Sequence, residues 1–181
     1  MSEEPGMNDV GLQILVYGYG NPGRGDDGLG PALVAALEPL GAAGLTCESD
    51  YQLAIEDAAD LAKYDVVVFV DADSSGPEPF WFARVQPTRE LRFSSHSATP
   101  GQVVGLACEM FGAQVKAYTL GIRGYRFGEL GESLSEQARS NLALALAFIR
   151  RAVREQHFDE YTRQFGVDSG RGCACGPQPE A

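Results

Sequence analysis

The heptapeptide Asp65-Val-Val-Val-Phe-Val-Asp71 constrains the fold of this chain more than any other segment. Its central residues, Val66 to Val70, are apolar without interruption and mostly β-branched, with none of the polar alternation of a strand that has one face in water. Both faces of such a strand must be covered, which places it at the centre of a parallel sheet with helices above and below. The surrounding sequence reads the same way. Leu12 to Tyr17 predicts a first strand, Leu45 to Ser49 a weaker second, Phe80 to Val85 an edge strand and Val115 to Ile122 the last. Helical patterns lie between them: Pro31 to Leu37, on the stripe Leu29, Leu33 and Leu37; Ile55 to Lys63; and Thr99 to Phe111, with Pro100 in its first turn. Leu134, Ala138, Leu142, Ala145, Phe148 and Ile149 mark a long final helix, opened by the capping box Ser133-Leu-Ser-Glu136. The expectation is a single-domain, three-layer α/β fold, a twisted and mostly parallel sheet of about five strands flanked by helices.

At 181 residues the chain suits one domain. Residues 1–10 read as a disordered N-terminus, 11–156 as the α/β domain, and 157–181 as a flexible tail rich in Gly, Pro and polar residues. That tail carries Gly172-Cys-Ala-Cys-Gly176; two thiols alone do not complete a tetrahedral metal site. Cys47 and Cys108 fall within expected secondary structure, and no secreted disulfide framework is apparent.

The balance of 14 basic against 25 acidic residues, net −11, disfavours nucleic-acid phosphates or an anionic membrane as partner. No apolar run approaches the roughly 20 residues of a membrane span, and Met1 to Asn8 lacks the pattern of a signal peptide. A cytoplasmic location is expected.

Chemistry first becomes visible at Gly18-Tyr-Gly-Asn-Pro-Gly-Arg-Gly-Asp-Asp-Gly-Leu-Gly30, which joins the first strand to the first helix. Gly18, Gly20 and Gly23 formally satisfy the dinucleotide fingerprint G-x-G-x-x-G. Asp26 and Asp27, however, stand where the helix N-terminus would meet a diphosphate. Paired acids there favour a cation. Either of them can also serve as the helix cap, and Asp26 in that role would leave Asp27 free.

Ligands of an open α/β sheet bind at the carboxyl ends of its strands. Asp27 follows the first strand's carboxyl end, and Asp71 occupies that of the Val-rich strand. His96, in Ser94-Ser-His-Ser-Ala-Thr-Pro100, lies in a loop before a helix; His157, the other histidine, begins the tail. Asp27, Asp71 and His96 would make an O,O,N set suited to Zn²⁺, Ni²⁺ or similar cations. Asp26 and Asp73 are the competing carboxylates. Individually, Asp71 can also end its strand by binding turn amides, and His96 can be a solvated or capping loop residue.

These residues carry a resemblance. The loop Gly18 to Gly30, the strand ending Val70-Asp71-Ala72 and the Ser95-His96 segment before a helix resemble the NiFe-hydrogenase maturation endopeptidases. So does Gly121-Ile-Arg-Gly-Tyr-Arg-Phe-Gly-Glu129, followed by Leu134-Ser-Glu136. The likeness runs in order from about Leu12 to Ile149. It implies removal of a C-terminal peptide from a hydrogenase large-subunit precursor after nickel insertion, with Asp27, Asp71 and His96 as the metal-contacting and catalytic residues. The nickel would be carried by the substrate, and zinc or cadmium would stand in for it in vitro. The glycines around Asp27 would let the substrate backbone approach closely. One departure is visible: many members have a Gly-Thr element after the second strand, and this chain reads Asp50-Tyr-Gln-Leu53 there, so the substrate contacts of that loop do not carry over.

The sequence has no H-E-x-x-H helix and no G-x-S-x-G elbow. Two other readings stand beside the peptidase. One is a non-catalytic, nickel-dependent chaperone of the hydrogenase precursor using the same residues. The other is a dinucleotide-binding oxidoreductase, with Gly18, Gly20 and Gly23 at the pyrophosphate and Glu48 or Asp50 at the ribose.

Overall fold

Val66–Asp73 is the middle strand of the sheet, in a computed structural model that describes residues 11–88, 98–128 and 130–166. Among the described residues the strands are β1 (Ile14–Tyr19), β2 (Leu45–Asp50), β3 (Val66–Asp73), β4 (Phe80–Arg84) and β5 (Lys116–Arg123). They form one sheet in the order β2-β1-β3-β5-β4. All neighbours are parallel except β4, which runs antiparallel to β5 at the edge. The fold class read from the sequence is the one observed.

The unbroken apolar run of β3 has the expected cause. Val66, Val68 and Val70 face one cluster, packed against α1 (Leu29–Leu37), α4 (Glu136–Glu155) and α5 (Phe158–Phe165). Val67 and Phe69 face the other, under α2 (Ala58–Leu61) and α3 (Pro100–Phe111). None of these β3 side chains is more than 2% exposed. Helix α1 starts two residues before Pro31, whose missing N–H falls in the first turn, where no intrahelical acceptor is needed. Its stripe of Leu29, Leu33 and Leu37 is fully buried. Thr99 caps α3: its hydroxyl accepts the Gln102 N–H at 3.3 Å, and Gln102 Oε1 accepts the Thr99 N–H at 2.9 Å.

Two expectations need correction. Helix α4 is capped by Ser135, not Ser133; Ser135 Oγ accepts the Ala138 N–H at 3.2 Å, and Glu136 is the first helical residue rather than the reciprocal partner of a capping box. The domain does not end at residue 156. Phe158, Tyr161 and Phe165 stand at i, i+3 and i+7, so one turn after another of α5 turns a ring inward. Phe158 stacks on Tyr118 with centroids 5.5 Å apart, and Phe165 lies 5.3 Å from Phe80 and 5.1 Å from Phe148. These rings extend the core through residue 165. Residues 1–10 and the Cys173–Cys175 pair lie outside the described residues. Among the described residues no helix is long and apolar enough to cross a membrane.

Candidate functional site

The chain leaves β1 through α1 to reach β2 on one side, then returns past β1 to form β3 on the other. The carboxyl ends of β1 and β3 therefore flank the point where the winding reverses, the crevice in which open α/β sheets bind their ligands. Register places Gly18 beside Val70, so Tyr19 and Asp71 come next on the ladder, at the rim. The 3-10 turn Asp26–Gly28, which feeds α1, brings Asp27 to the same rim.

The two adjacent acids do different work. Asp26 is fully buried. Its carboxylate accepts the backbone N–H groups of Tyr125 (2.8 Å), Arg126 (2.9 Å) and Ser135 (2.6 Å) and the Ser135 hydroxyl (2.7 Å). Burial alone would raise its pKa; the bonds from Ser135, Tyr125 and Arg126 outweigh that and hold it below the usual carboxylate range. Asp26 does not cap α1, whose N-cap is Gly28 with no side-chain bond. It ties the first loop to the segment between β5 and α4.

Asp27 is half-buried, and its carboxylate accepts the Asn21 N–H at 2.8 Å, closing the loop on itself. Asp71 accepts the N–H of Ala72 at 2.8 Å and the Tyr19 hydroxyl. Burial, together with the charges of Asp27 and Asp73, nevertheless pushes its carboxyl up to about 7. Asp71 and Asp27 thus face one field, and ionising the first is opposed by the second. Tyr19 escaped the sequence reading, although its position one step beyond Gly18 is what sets it beside Asp71.

Asp73 is spent elsewhere. It accepts the N–H groups of Ser75 and Gly76, each at 2.8 Å, and Trp81 Nε1 at 2.7 Å. These bonds hold its pKa low against the opposing effect of burial. Of the four carboxylates weighed from the sequence, Asp26 and Asp73 are structural clamps, and Asp27 and Asp71 share the switch point. His96 lies outside the described residues. The chain is described again from Ala98, whose N–H donates to the Leu53 carbonyl at 2.9 Å. Among the described residues no group of three or more His, Cys, Asp or Glu could hold a metal ion.

Two glycines of the first loop serve the chain's own packing. Gly20 has φ 134°, and a Cβ there would lie 2.0 Å from the Asp27 carbonyl oxygen. A Cβ on Gly30 would lie 2.5 Å from the carbonyl oxygens of both Tyr19 and Val70, so this glycine lets α1 seat directly on the ends of β1 and β3. The dinucleotide reading needs that turn to cradle a diphosphate; here the space beside Gly20 is filled by the Asp27 backbone, whose side chain adds negative charge.

No family model matches the sequence, and no curated protein matches it. Solved structures do. A NiFe-hydrogenase maturation protease, HycI, from Thermococcus kodakarensis superposes with a TM-score of 0.64 at 24% identity, over 79% of this chain and 93% of that one. The hydrogenase maturating endopeptidase HybD from E. coli gives 0.57 at 22%, over 81% and 94%. The hydrogenase 2 maturation peptidase of a Thaumarchaeota archaeon gives 0.58 at 21%, over 78% and 98%. Likenesses of this extent, at identities below 25%, establish architecture, and the architecture of this chain is that of the hydrogenase maturation proteases.

Proposed function

We propose that this chain is a hydrogenase maturation endopeptidase, which removes a C-terminal peptide from the precursor of a NiFe-hydrogenase large subunit once nickel has been inserted. The observation that carries the reading is the meeting of Asp27 and Asp71 at the switch point, while their neighbours Asp26 and Asp73 are committed to backbone clamps. The names borne by the similar structures supply the reaction class.

In this reading the nickel belongs to the substrate, and Asp27, Asp71 and His96 contact it, so that an unloaded precursor is not recognised. Carboxylate and imidazole donors suit such a borderline cation. The carboxylates have a second part to play, since one that the nickel leaves free would take a proton from the attacking water as general base, and Asp71 stands at the switch point for either role. The Tyr19 hydroxyl holds its carboxylate in place.

The test is incubation of the purified chain with nickel-loaded and nickel-free precursor, following the C-terminal peptide by mass spectrometry. The peptide should appear from the loaded precursor alone, and Asp27→Asn, Asp71→Asn and His96→Ala should each abolish it. Equal cleavage of both precursors would overturn metal-gated recognition. Binding without any peptide product would leave a chaperone instead of a protease.

A further inference from the structure

The loop that carries Asp27 is gripped from both sides by backbone hydrogen bonds, and each gripping segment holds large apolar side chains out in water. On one flank Gly20 N–H donates to the Asp50 carbonyl at 3.2 Å, and the next residue, Tyr51, is 66% exposed. On the other, Asp26 N–H donates to Arg126 O and Gly25 N–H to Gly131 O, each at 2.9 Å, and Gly131 N–H returns to Gly23 O at 3.0 Å. The Asp26 carboxylate adds its bonds to the Tyr125 and Arg126 N–H groups. Between these straps Leu130 is 94% exposed and Phe127 36%.

We propose that Phe127 and Leu130, with Tyr51 on the opposite flank, form the surface on which the substrate protein docks beside the Asp27–Asp71 pair; the inference rests on the peptidase reading above. Three physical features point to a polypeptide occupant. All three groups are large and apolar, and two of them, Tyr51 and Phe127, are of the aromatic type enriched at the cores of protein interfaces. The two ends of this segment are strapped at residues 125–126 and at 131, so Phe127 and Leu130 each adjoin a residue held by backbone hydrogen bonds. Both flanks are bonded directly to the loop of Asp27, so a protein seated on them delivers its chain to the switch point.

Met110, at the far end of α3, is an internal control: it is 69% exposed, and α3 leads to Lys116, which opens β5 at the opposite end of the sheet. Steady-state processing of nickel-loaded precursor should be compared for the parent chain, Leu130→Asp, Tyr51→Ala and Met110→Asp. Leu130→Asp is expected to raise KM about tenfold with kcat held within about twofold, the signature of lost binding shared by ground and transition states. Tyr51→Ala should act in the same direction, and Met110→Asp should leave both constants unchanged. At 94% exposure Leu130 supports no core, and an unchanged thermal melt will establish that its variant is folded. An unchanged KM in Leu130→Asp, or an equal rise in Met110→Asp, overturns the docking surface while the peptidase reading stands. If the parent chain releases no peptide, the peptidase reading fails and the docking surface falls with it.

Discussion

The carboxylate of Asp26 accepts both the backbone N–H and the hydroxyl of Ser135, at 2.6 and 2.7 Å, across 109 residues of sequence. With its bonds to Tyr125 and Arg126, this one buried side chain fixes where the loop of Asp27 stands relative to the start of α4. Asp26→Ala would take this acceptor from the buried N–H and hydroxyl of Ser135 and from the part-buried amides of Tyr125 and Arg126. The expected cost is on the order of 3–5 kcal/mol. Asp27→Asn retains an oxygen for the Asn21 N–H and should cost no more than about 1 kcal/mol while abolishing peptide release. Thermal melts beside the processing assay separate the two: adjacent acids, one needed for folding and one for activity. The Asp26 contribution also has a pH sign. Its folded pKa lies below its unfolded one, so the stabilisation is present above the ordinary carboxylate range and is lost as pH falls through the depressed folded value. The deficit of Asp26→Ala should therefore shrink in acid.

Asp71 predicts the opposite slope. Its carboxyl is raised to about 7 in the folded protein, so between the ordinary carboxylate pKa and that value the native state binds more protons than the unfolded chain. Stability should therefore fall as pH rises through this window and level off above it. Asp71→Asn removes the buried charge and should flatten the profile, melting several degrees above the parent chain at pH 8 and close to it at pH 4. A melt scan from pH 4 to 8 checks this, and a variant less stable than the parent at pH 8 would contradict it. A site residue whose removal stabilises the fold is one retained for what it does.

Gly30 offers a steric prediction. Its missing side chain is what allows α1 to rest on the carbonyl oxygens of Tyr19 and Val70, and the obstacle to any Cβ is backbone from two different strands. Gly30→Ala must push α1 off the ends of β1 and β3, and should destabilise by about 3 kcal/mol or more. Because the shift falls on the helix that follows Asp27, processing should fail under conditions where the variant is still folded. Chemical denaturation together with the peptide assay measures both.

The sheet was legible because its signal is local. Val66 to Val70 announce a strand buried on both faces, and the order of strands and helices then leaves few ways to wind. That Asp27 and Asp71 share a rim follows from strand ends alone. What Asp26 does was not legible, since its partners are backbone amides about 100 residues away and an acid at a helix start looks like a cap in any single sequence. The same blindness moved the α4 cap: Ser133 and Ser135 are equivalent by type, and the tie from Asp26 to Ser135 is long-range. Helix α5 failed for another reason. Its Phe158-Asp-Glu-Tyr-Thr-Arg-Gln-Phe165 is short and polar, and only the facing rings of β4, β5 and α4 turn its aromatic residues into a core.

Phe158 is buried against Tyr118, whose hydroxyl donates to Asp159 at 2.7 Å, and Tyr161 meets Phe148 edge-on at 5.3 Å. Asp159 also pairs with Arg84 at 3.1 Å and Lys116 at 3.2 Å; these charges are substantially exposed, so the helix owes its position chiefly to the rings. Phe158→Ala should destabilise by about 3–5 kcal/mol, whereas Asp159→Ala should cost about 1–2 kcal/mol, mostly through the Tyr118 bond. A chain ended at Gln156 should lose more than either variant, because Phe80, Tyr118 and Phe148 would lose their α5 partners together. Melting temperatures of the three proteins give the order directly, and a chain ended at Gln156 that melts with the parent would return the domain boundary to where the sequence first placed it.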